Sequence, residues 1–296
     1  MGQEDPMNTL CKMVIDTDYK DLPKHVVTSA KHSILDTIAV TIAGSAMQGI
    51  PELVGFVKEK GGKPESFIPF YGGKVPASEA GLVIGPMARA IDFGQVHEEA
   101  GHNSEYIVPA LLAASGLRNR INSKEFLNAF VVDQEVLIRI NSAWKTISQA
   151  IPHGRSQGGS IFGAVAAVGK LLGMGLDELG NAEGIARGKT QPHDIGMATY
   201  STLMLRVHHG FTCQDAINAC LLAKIGITGN RQEVLVGPRG YLEMAKWETD
   251  PNLLLDGLGN KWEMTNVIMK PDGAGRIQVK ELKSYFTPES KGKSIE

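Results

Sequence analysis

The chain has 296 residues, 43% hydrophobic and 21% charged, with 30 basic side chains against 32 acidic ones and a formal charge of −2. That length buries one large core or two small ones, and the near-neutral balance leaves no basic footprint for nucleic acid or an anionic membrane surface. No apolar run reaches the roughly 20 residues of a bilayer span, and the acidic opening "MGQEDPMNTLCKMV" is unlike a basic signal-peptide start. The expectation is a soluble protein with no nucleic-acid or membrane partner. Three cysteines, Cys11, Cys213 and Cys220, form no metal-type pair, and their odd number suits a reducing, cytoplasmic setting.

In chain order, "LPKHVVTSAKHSILDTIAVTIAGSA" predicts a helix from Pro23 to about Gly44, with Val27, Ala30, Ile34, Leu35, Ile38 and Ile42 at helical spacing. "PELVGFVKEKGG" predicts a shorter helix stopped by Gly61 and Gly62, and "SFIPFYGGKV" a small hairpin or extended connection. Ser78 is positioned to cap "EAGLVIGPMARAID", although Gly85 and Pro86 oppose a helix there. A buried helix is expected over Ile107 to Leu117. Another follows a Ser123 cap, with Leu127, Phe130, Val131, Gln134, Leu137 and Ile138 on one face. Residues 156–173 are nearly all small or apolar and predict a central helix approached closely at Gly159, Gly163 and Ala167. "LDELGNAEGIARG" and "FTCQDAINACLLAKIG" add two helices. "NKWEMTNVIMK" reads as a strand without a visible partner, ahead of a lysine-rich tail. The fold class is mainly α, a multi-helix bundle over residues 1–246. Residues 247–296 are the start of a second, lid-like domain and a loose tail with short β or extended structure.

Three segments read as loops and carry the chemistry-bearing side chains: "DFGQVHEEAGHN", "AIPHGRSQGG" and "LMLRVHHGF". Loops on a rigid helical frame are the usual way to converge titratable groups. His102 and His153 are the candidates for proton transfer, because imidazole titrates near neutral pH. Arg155, Arg206 and Lys189 are candidates to clamp an anion, since guanidinium pairs bidentately with carboxylate. The N–H groups of "HGRSQGGSIFG" ahead of a helix can receive a carboxylate as well. A metal is not expected: His97 and His102 are five positions apart with Glu98 and Glu99 between, and the neighbours His208 and His209 point apart. No nucleophile elbow or dinucleotide fingerprint is present. No cofactor is expected.

The segments "HSILDTIAVTIAGS", "ARAIDFGQVHEEAGHNSEYIVPALLAAS", "HGRSQGGSIFGAVAAVGKLLGMGLDEL", "LMLRVHHGFTCQDAINACLLA" and "GPRGYLEMA" resemble, in this order, the MmgE/PrpD family, over about residues 8 to 270. The resemblance implies a large helical domain closed by an α+β lid. It also implies cofactor-independent proton transfer next to a carboxylate of a small di- or tricarboxylate, expelling water or carbon dioxide, or returning the proton to the other face. By the same resemblance Asp92 orients a partner and His102 and His153 handle protons. His97, Arg155, Arg206 and His208 are the expected substrate-binding residues. Two features depart from the family pattern. Gly94, Gln95 and Val96 stand where further acidic residues and a Thr are usual, and Leu205 stands at a lysine position. With the lid nearly absent, a closing half from a homodimer partner or a separate lid subunit is expected. The sequence leaves open a dehydratase or decarboxylase, an epimerase, and a non-catalytic carboxylate-binding or scaffold protein.

Overall fold

A computed structural model describes residues 4–144, 158–190, 202–244 and 249–270. The described part is dominated by helices. Helix α1 (Pro6–Asp16) starts on Asp5, whose carboxylate accepts Met7 N at 2.9 Å and also the N–H groups of Leu235 and Val236 at 2.9 and 3.1 Å. One buried acid thus caps a helix and ties the N-terminal segment to a loop more than 200 residues away.

Helix α2 (Lys24–Gly44) has the expected ends but presents a different face to the core. Val26, Ala30, Ser33, Thr37, Val40 and Thr41 are buried, while Leu35 is 66% and Ile42 49% exposed. The polar side can be buried in part because Thr37 and Thr41 donate back to Ser33 O and Thr37 O, at 2.8 and 2.6 Å, which matches both threonine hydroxyls. Helix α3 (Ile50–Lys60) ends at Gly61, and strands β1 (Ser66–Phe67) and β2 (Lys74–Val75) form the expected hairpin.

Helix α4 (Ala77–Arg89) runs straight through Gly85 and Pro86. Its first turn is served from outside, with Ala77 N donating to Glu65 Oε2 at 3.0 Å, so Pro76 and not Ser78 is the cap residue. Pro86 has no N–H for the Leu82 carbonyl. That carbonyl abuts Gly210 of helix α9 (Met204–Lys224), where a Cβ would lie 2.2 Å from Leu82 O, and a Cβ on Gly85 would meet His209 O at 2.8 Å. Gly85, which argued against a helix, and Gly210 are what let α4 and α9 pack backbone to backbone. Gly44 does the same for α2, facing Met87 O.

Helix α5 (Ser104–Ser115) begins three residues before the expected start, on an Asn103 cap. Helix α6 (Ser123–Ser142) is capped by Asn122 and not by the expected Ser123: Asn122 Oδ1 accepts from Lys124 N and Glu125 N at 3.0 Å while Glu125 accepts from Asn122 N, a reciprocal box. From Asn128 to Asn141 α6 is buried all round, so its single apolar face is only part of what it packs. Helix α7 (Ser160–Leu171) lies against it at Gly163, where a Cβ would sit 2.6 Å from Leu137 Cβ. Helix α8 (Leu176–Arg187) follows as expected. Helix α9 is longer than expected and absorbs "MLRVHH", which is helical and not a loop.

Residues 249–270 pack on this frame. Arg139 of α6, 1% exposed, donates to the carbonyls of Asp256 and Lys261 at 2.8 and 2.9 Å, and Glu135 accepts Arg139 Nε at 2.7 Å and Met264 N at 3.2 Å. The strand with no visible partner, β5 (Val267–Ile268), is an edge strand: it pairs antiparallel with β3 (Val96–His97), which pairs in turn with β4 (Gly101–His102).

Asp133 of α6 and Glu183 of α8 are fully buried, with carboxyl oxygens that hold no aligned hydrogen bond among the described residues. Burial pushes both well above the usual carboxylate range, with Lys170 opposing it only at Asp133. The unfolded chain releases the Glu183 proton at an ordinary 4.5 while the folded chain keeps it. Stability therefore falls as pH rises above that value. Glu183→Gln is expected to flatten this dependence above pH 5, by at most about 1.4 kcal/mol per pH unit, in urea titrations. An unchanged slope contradicts a protonated Glu183.

Candidate active site

The site forms where α4 ends. Arg89 is its last residue, and Asp92 follows at φ 54°, a left-handed conformation that aspartate tolerates better than most side chains. The chain then enters the β3–β4 hairpin, with Val96 opposite His102 and His97 opposite Gly101. His97 closes the turn from inside, its Nδ1 accepting Glu99 N and Ala100 N at 3.2 and 3.1 Å. Asn103 fixes the exit. Its Oδ1 accepts from Ser104 N (2.6 Å), Gln95 Nε2 (2.8 Å) and Gln134 Nε2 (3.3 Å), and its amide donates to Gly101 O at 3.2 Å. The hairpin is thereby bolted to α5 and α6, and His102 is presented from a held backbone.

Four side chains converge with Asp92 and His102. Arg89 forms an ion pair with Asp92 Oδ1. Lys270, just past β5 and 1% exposed at its side chain, donates to Asp92 Oδ1 and to Asp92 O, each at 3.0 Å. His102 Nε2 lies 3.7 Å from the same Oδ1. On the inner side, Glu105 Oε2 is 3.3 Å from His102 Nδ1, 3.3 Å from His209 Nε2 and 3.9 Å from Arg89 Nε. The imidazole approaches to Glu105 are within hydrogen-bond reach by distance but not yet aligned as hydrogen bonds, a looseness common in sites without substrate. His209 stacks on Tyr106 with ring centres 4.1 Å apart.

The electrostatics follow from this packing. Burial works against charge on Glu105, yet His102, Arg89 and the donor groups of the two histidines outweigh it and hold the carboxyl well below its ordinary range. Asp92 is likewise disfavoured by burial, but Arg89, His102 and Lys270 bring it below its ordinary value. Burial lowers His102, with Glu105 opposing, and takes His209 down to about 3. At neutral pH the cluster is two cations, two carboxylates and two neutral imidazoles. Asp92, with 46% of its side chain exposed, and His102, with 16%, form its open side. Asp36 of α2 stands nearby and is pushed up, by burial first and by Glu105 second, with the Gln95 N–H and Lys270 opposing.

Of the expected site residues, the structure joins Asp92 and His102. His153 and Arg155 lie outside the described residues. Arg206 donates to Gln48 O at 2.7 Å, and Lys189 pairs with Asp215 at 3.3 Å. His208 sits on α9 facing a different hollow, about 150 Å³, shared with Lys189, Thr212 and Asp215. Sequence reasoning missed Arg89, Glu105, His209 and Lys270. A signal existed for Lys270, the last residue of the strand segment, and for His209, beside a glycine that permits close packing. Among the described residues no group of three or more His, Cys, Asp or Glu side chains is arranged to hold a metal ion, and no helix is long and apolar enough to cross a membrane.

The cis-aconitate decarboxylase-like protein oryM of Aspergillus oryzae is 28% identical over 279 residues, 88% of this chain and 57% of that protein. Cis-aconitate decarboxylase of Aspergillus terreus is 27% identical over 243 residues, 79% and 49% of the two chains. The Mus musculus cis-aconitate decarboxylase is 26% identical over 221 residues, 72% and 44%. The chain spans about half the length of the curated relatives it matches. The MmgE/PrpD N-terminal domain matches residues 8–253, most of the chain and every helix that frames Asp92 and His102, and the chain therefore belongs to the MmgE/PrpD family.

Proposed function

We propose that this chain is the helical, proton-transferring part of a lyase that acts on a small di- or tricarboxylate of the cis-aconitate type. The reaction is proton transfer at a carbon next to a carboxylate, with loss of carbon dioxide or water. The observation that carries this reading is the meeting of His102, Lys270 and Arg89 on one partly open carboxylate, Asp92. Through Nε2, the nitrogen facing Asp92, a neutral His102 is ready to take the carbon-bound proton where water is lost, and, once protonated from solvent, to give a proton to the carbon that loses carbon dioxide. Lys270 and Arg89 supply positive charge where a carboxylate, and the negative charge that builds on it as the proton or carbon dioxide leaves, would sit. Lys270 offsets the charge missing at Leu205. His153 and Arg155 keep their proposed roles as second proton carrier and carboxylate clamp, whereas His97, Arg206 and His208, engaged elsewhere, are given no substrate contact in this proposal.

These steps need only side chains, so the reaction is proposed to be cofactor-independent, and activity is expected to survive dialysis against EDTA. A homodimer partner or a separate lid subunit is proposed to cover part of the chain. The exposed Leu35, Ile38 and Ile42 on α2 support a covered face, and molar mass by light scattering tests it. The three buried free thiols support a reducing, cytoplasmic setting.

The test is turnover of a panel of small di- and tricarboxylates by the purified chain, alone and with any lid partner, followed by proton NMR. Loss of carbon dioxide or water from one acid is the expected result, and Lys270→Met is expected to lower it about 100-fold or more. No consumption of any acid overturns the lyase reading. Leu205 in place of a lysine favours a second reading, binding without turnover, which calorimetric binding of an unconsumed acid would select. Inversion at carbon without loss of a group would select an epimerase.

A further inference from the structure

The buried carboxylate of Glu105 lies behind His102, on the side away from Asp92, and the lyase reading gives it no task. Its Oε2 is the focus of three groups: His102 Nδ1 and His209 Nε2 at 3.3 Å, and Arg89 Nε at 3.9 Å. Glu105 is completely buried, in the first turn of α5, where a negative charge is favoured by the helix dipole. The loop makes room for it. A Cβ on Gly94 would lie 2.0 Å from Glu105 Oε1 and 2.6 Å from its Cδ, so any side chain at 94 would take the volume that the Glu105 carboxyl fills. His209 is set from the opposite direction by the close crossing of α4 and α9 and by its stack on Tyr106. An ionised carboxylate accepts protons only, and a neutral imidazole carries one N–H. The proton of His102 therefore belongs on the nitrogen nearest Glu105.

Resting on the lyase reading for its catalytic meaning, we infer that Glu105 is a positioning residue that holds His102 as the Nδ1–H tautomer, leaving Nε2 as the proton acceptor on the open side, with Gly94 providing the space and Arg89 and His209 holding the carboxylate. The nitrogen that a second partner engages decides which nitrogen of an imidazole does chemistry. Without Glu105, Asp92 is the nearest carboxylate, and the proton would move to Nε2, which could then no longer take one from substrate.

The experiment is nitrogen NMR of the full chain labelled with ¹⁵N-histidine at neutral pH, with the His102 signals identified by their loss in His102→Gln. The wild type is expected to show a protonated Nδ1 and an unprotonated Nε2. Glu105→Ala is expected to reverse this pattern or average it, and Gly94→Ala, which displaces the carboxyl without removing it, is expected to disturb the same signals. A wild-type His102 protonated at Nε2 overturns the inference even if neither variant folds. So does an unaltered His102 pattern in both folded variants. Where turnover is found, Glu105→Ala is expected to lower kcat by about 10- to 100-fold with KM nearly unchanged. The nitrogen pattern is independent of turnover. A chain inactive on every acid but with a Glu105-dependent tautomer sinks the lyase reading and leaves this one standing.

Discussion

His102→Asn is expected to lower kcat on a cis-aconitate-type acid by about 10²- to 10⁴-fold while KM moves by no more than about threefold. Asparagine keeps a polar group near Asp92 and Glu105, so the fold and the ion pairs around it should persist. What it loses is a nitrogen that exchanges a proton near neutral pH. Steady-state kinetics on the purified variant, with circular dichroism as a control for folding, separates the two effects. A variant with wild-type kcat removes His102 from the chemistry, and a variant that loses its helical signal shows that the side chain is needed for structure first. The pH dependence has a matching sign. Burial lowers His102 against the opposing pull of Glu105, so the base form persists below the ordinary imidazole value of 6.5, and the acid limb of an activity limited by this base is expected at lower pH than for an exposed histidine.

The second large effect is structural and far less obvious from chemistry. Gly210→Ala is expected to destabilise the chain by about 2–4 kcal/mol, because its Cβ would lie 2.2 Å from Leu82 O and 2.8 Å from Pro86 Cδ. Those neighbours are backbone and a proline ring, which have no rotamer to escape into. Relief requires α4 and α9 to separate, and the two helices also carry Arg89 and His209. The same substitution is therefore expected to change the surroundings of Glu105 as well as the urea midpoint. An exposed alanine for glycine at Gly55, where nothing lies within 4 Å of the added carbon, is the control, expected to be neutral or stabilising. Equal behaviour of the two variants contradicts the tight crossing.

Much of this fold was legible in the sequence because its helices are punctuated. Pro23 and Gly44, and Gly61, mark ends with a local physical cause, and the Ser123 cap expected for α6 lay one residue after the Asn122 that does cap it, so boundaries came within a few residues. What misled were positions where tertiary packing overrides local preference. Gly85 and Pro86 weaken an isolated helix, yet here they form the contact surface of one. Leu35 and Ile42 look like core by spacing, yet hydroxyls that bond within their own helix let the other side of α2 be buried.

The site divides the same way. Asp92 and His102 stand in one short segment and were found there. Lys270 reaches Asp92 across 178 positions through a two-residue strand, a pairing too short to leave a periodic signal. Glu105 looked like an ordinary first-turn acid of a helix. Gly94 looked like the loss of an acidic side chain, until the structure placed the Glu105 carboxyl in the volume a side chain there would need.

Solvent isotope exchange is the most direct test that Asp92, His102 and Lys270 form one proton-transferring centre for a carboxylic acid. The full chain is incubated with cis-aconitate and related acids in deuterium oxide and the carbon-bound protons are followed by NMR. The expected result is deuterium entering at one carbon next to a carboxylate, and entry abolished in His102→Asn. No incorporation into any acid, or equal incorporation by wild type and His102→Asn, would contradict it.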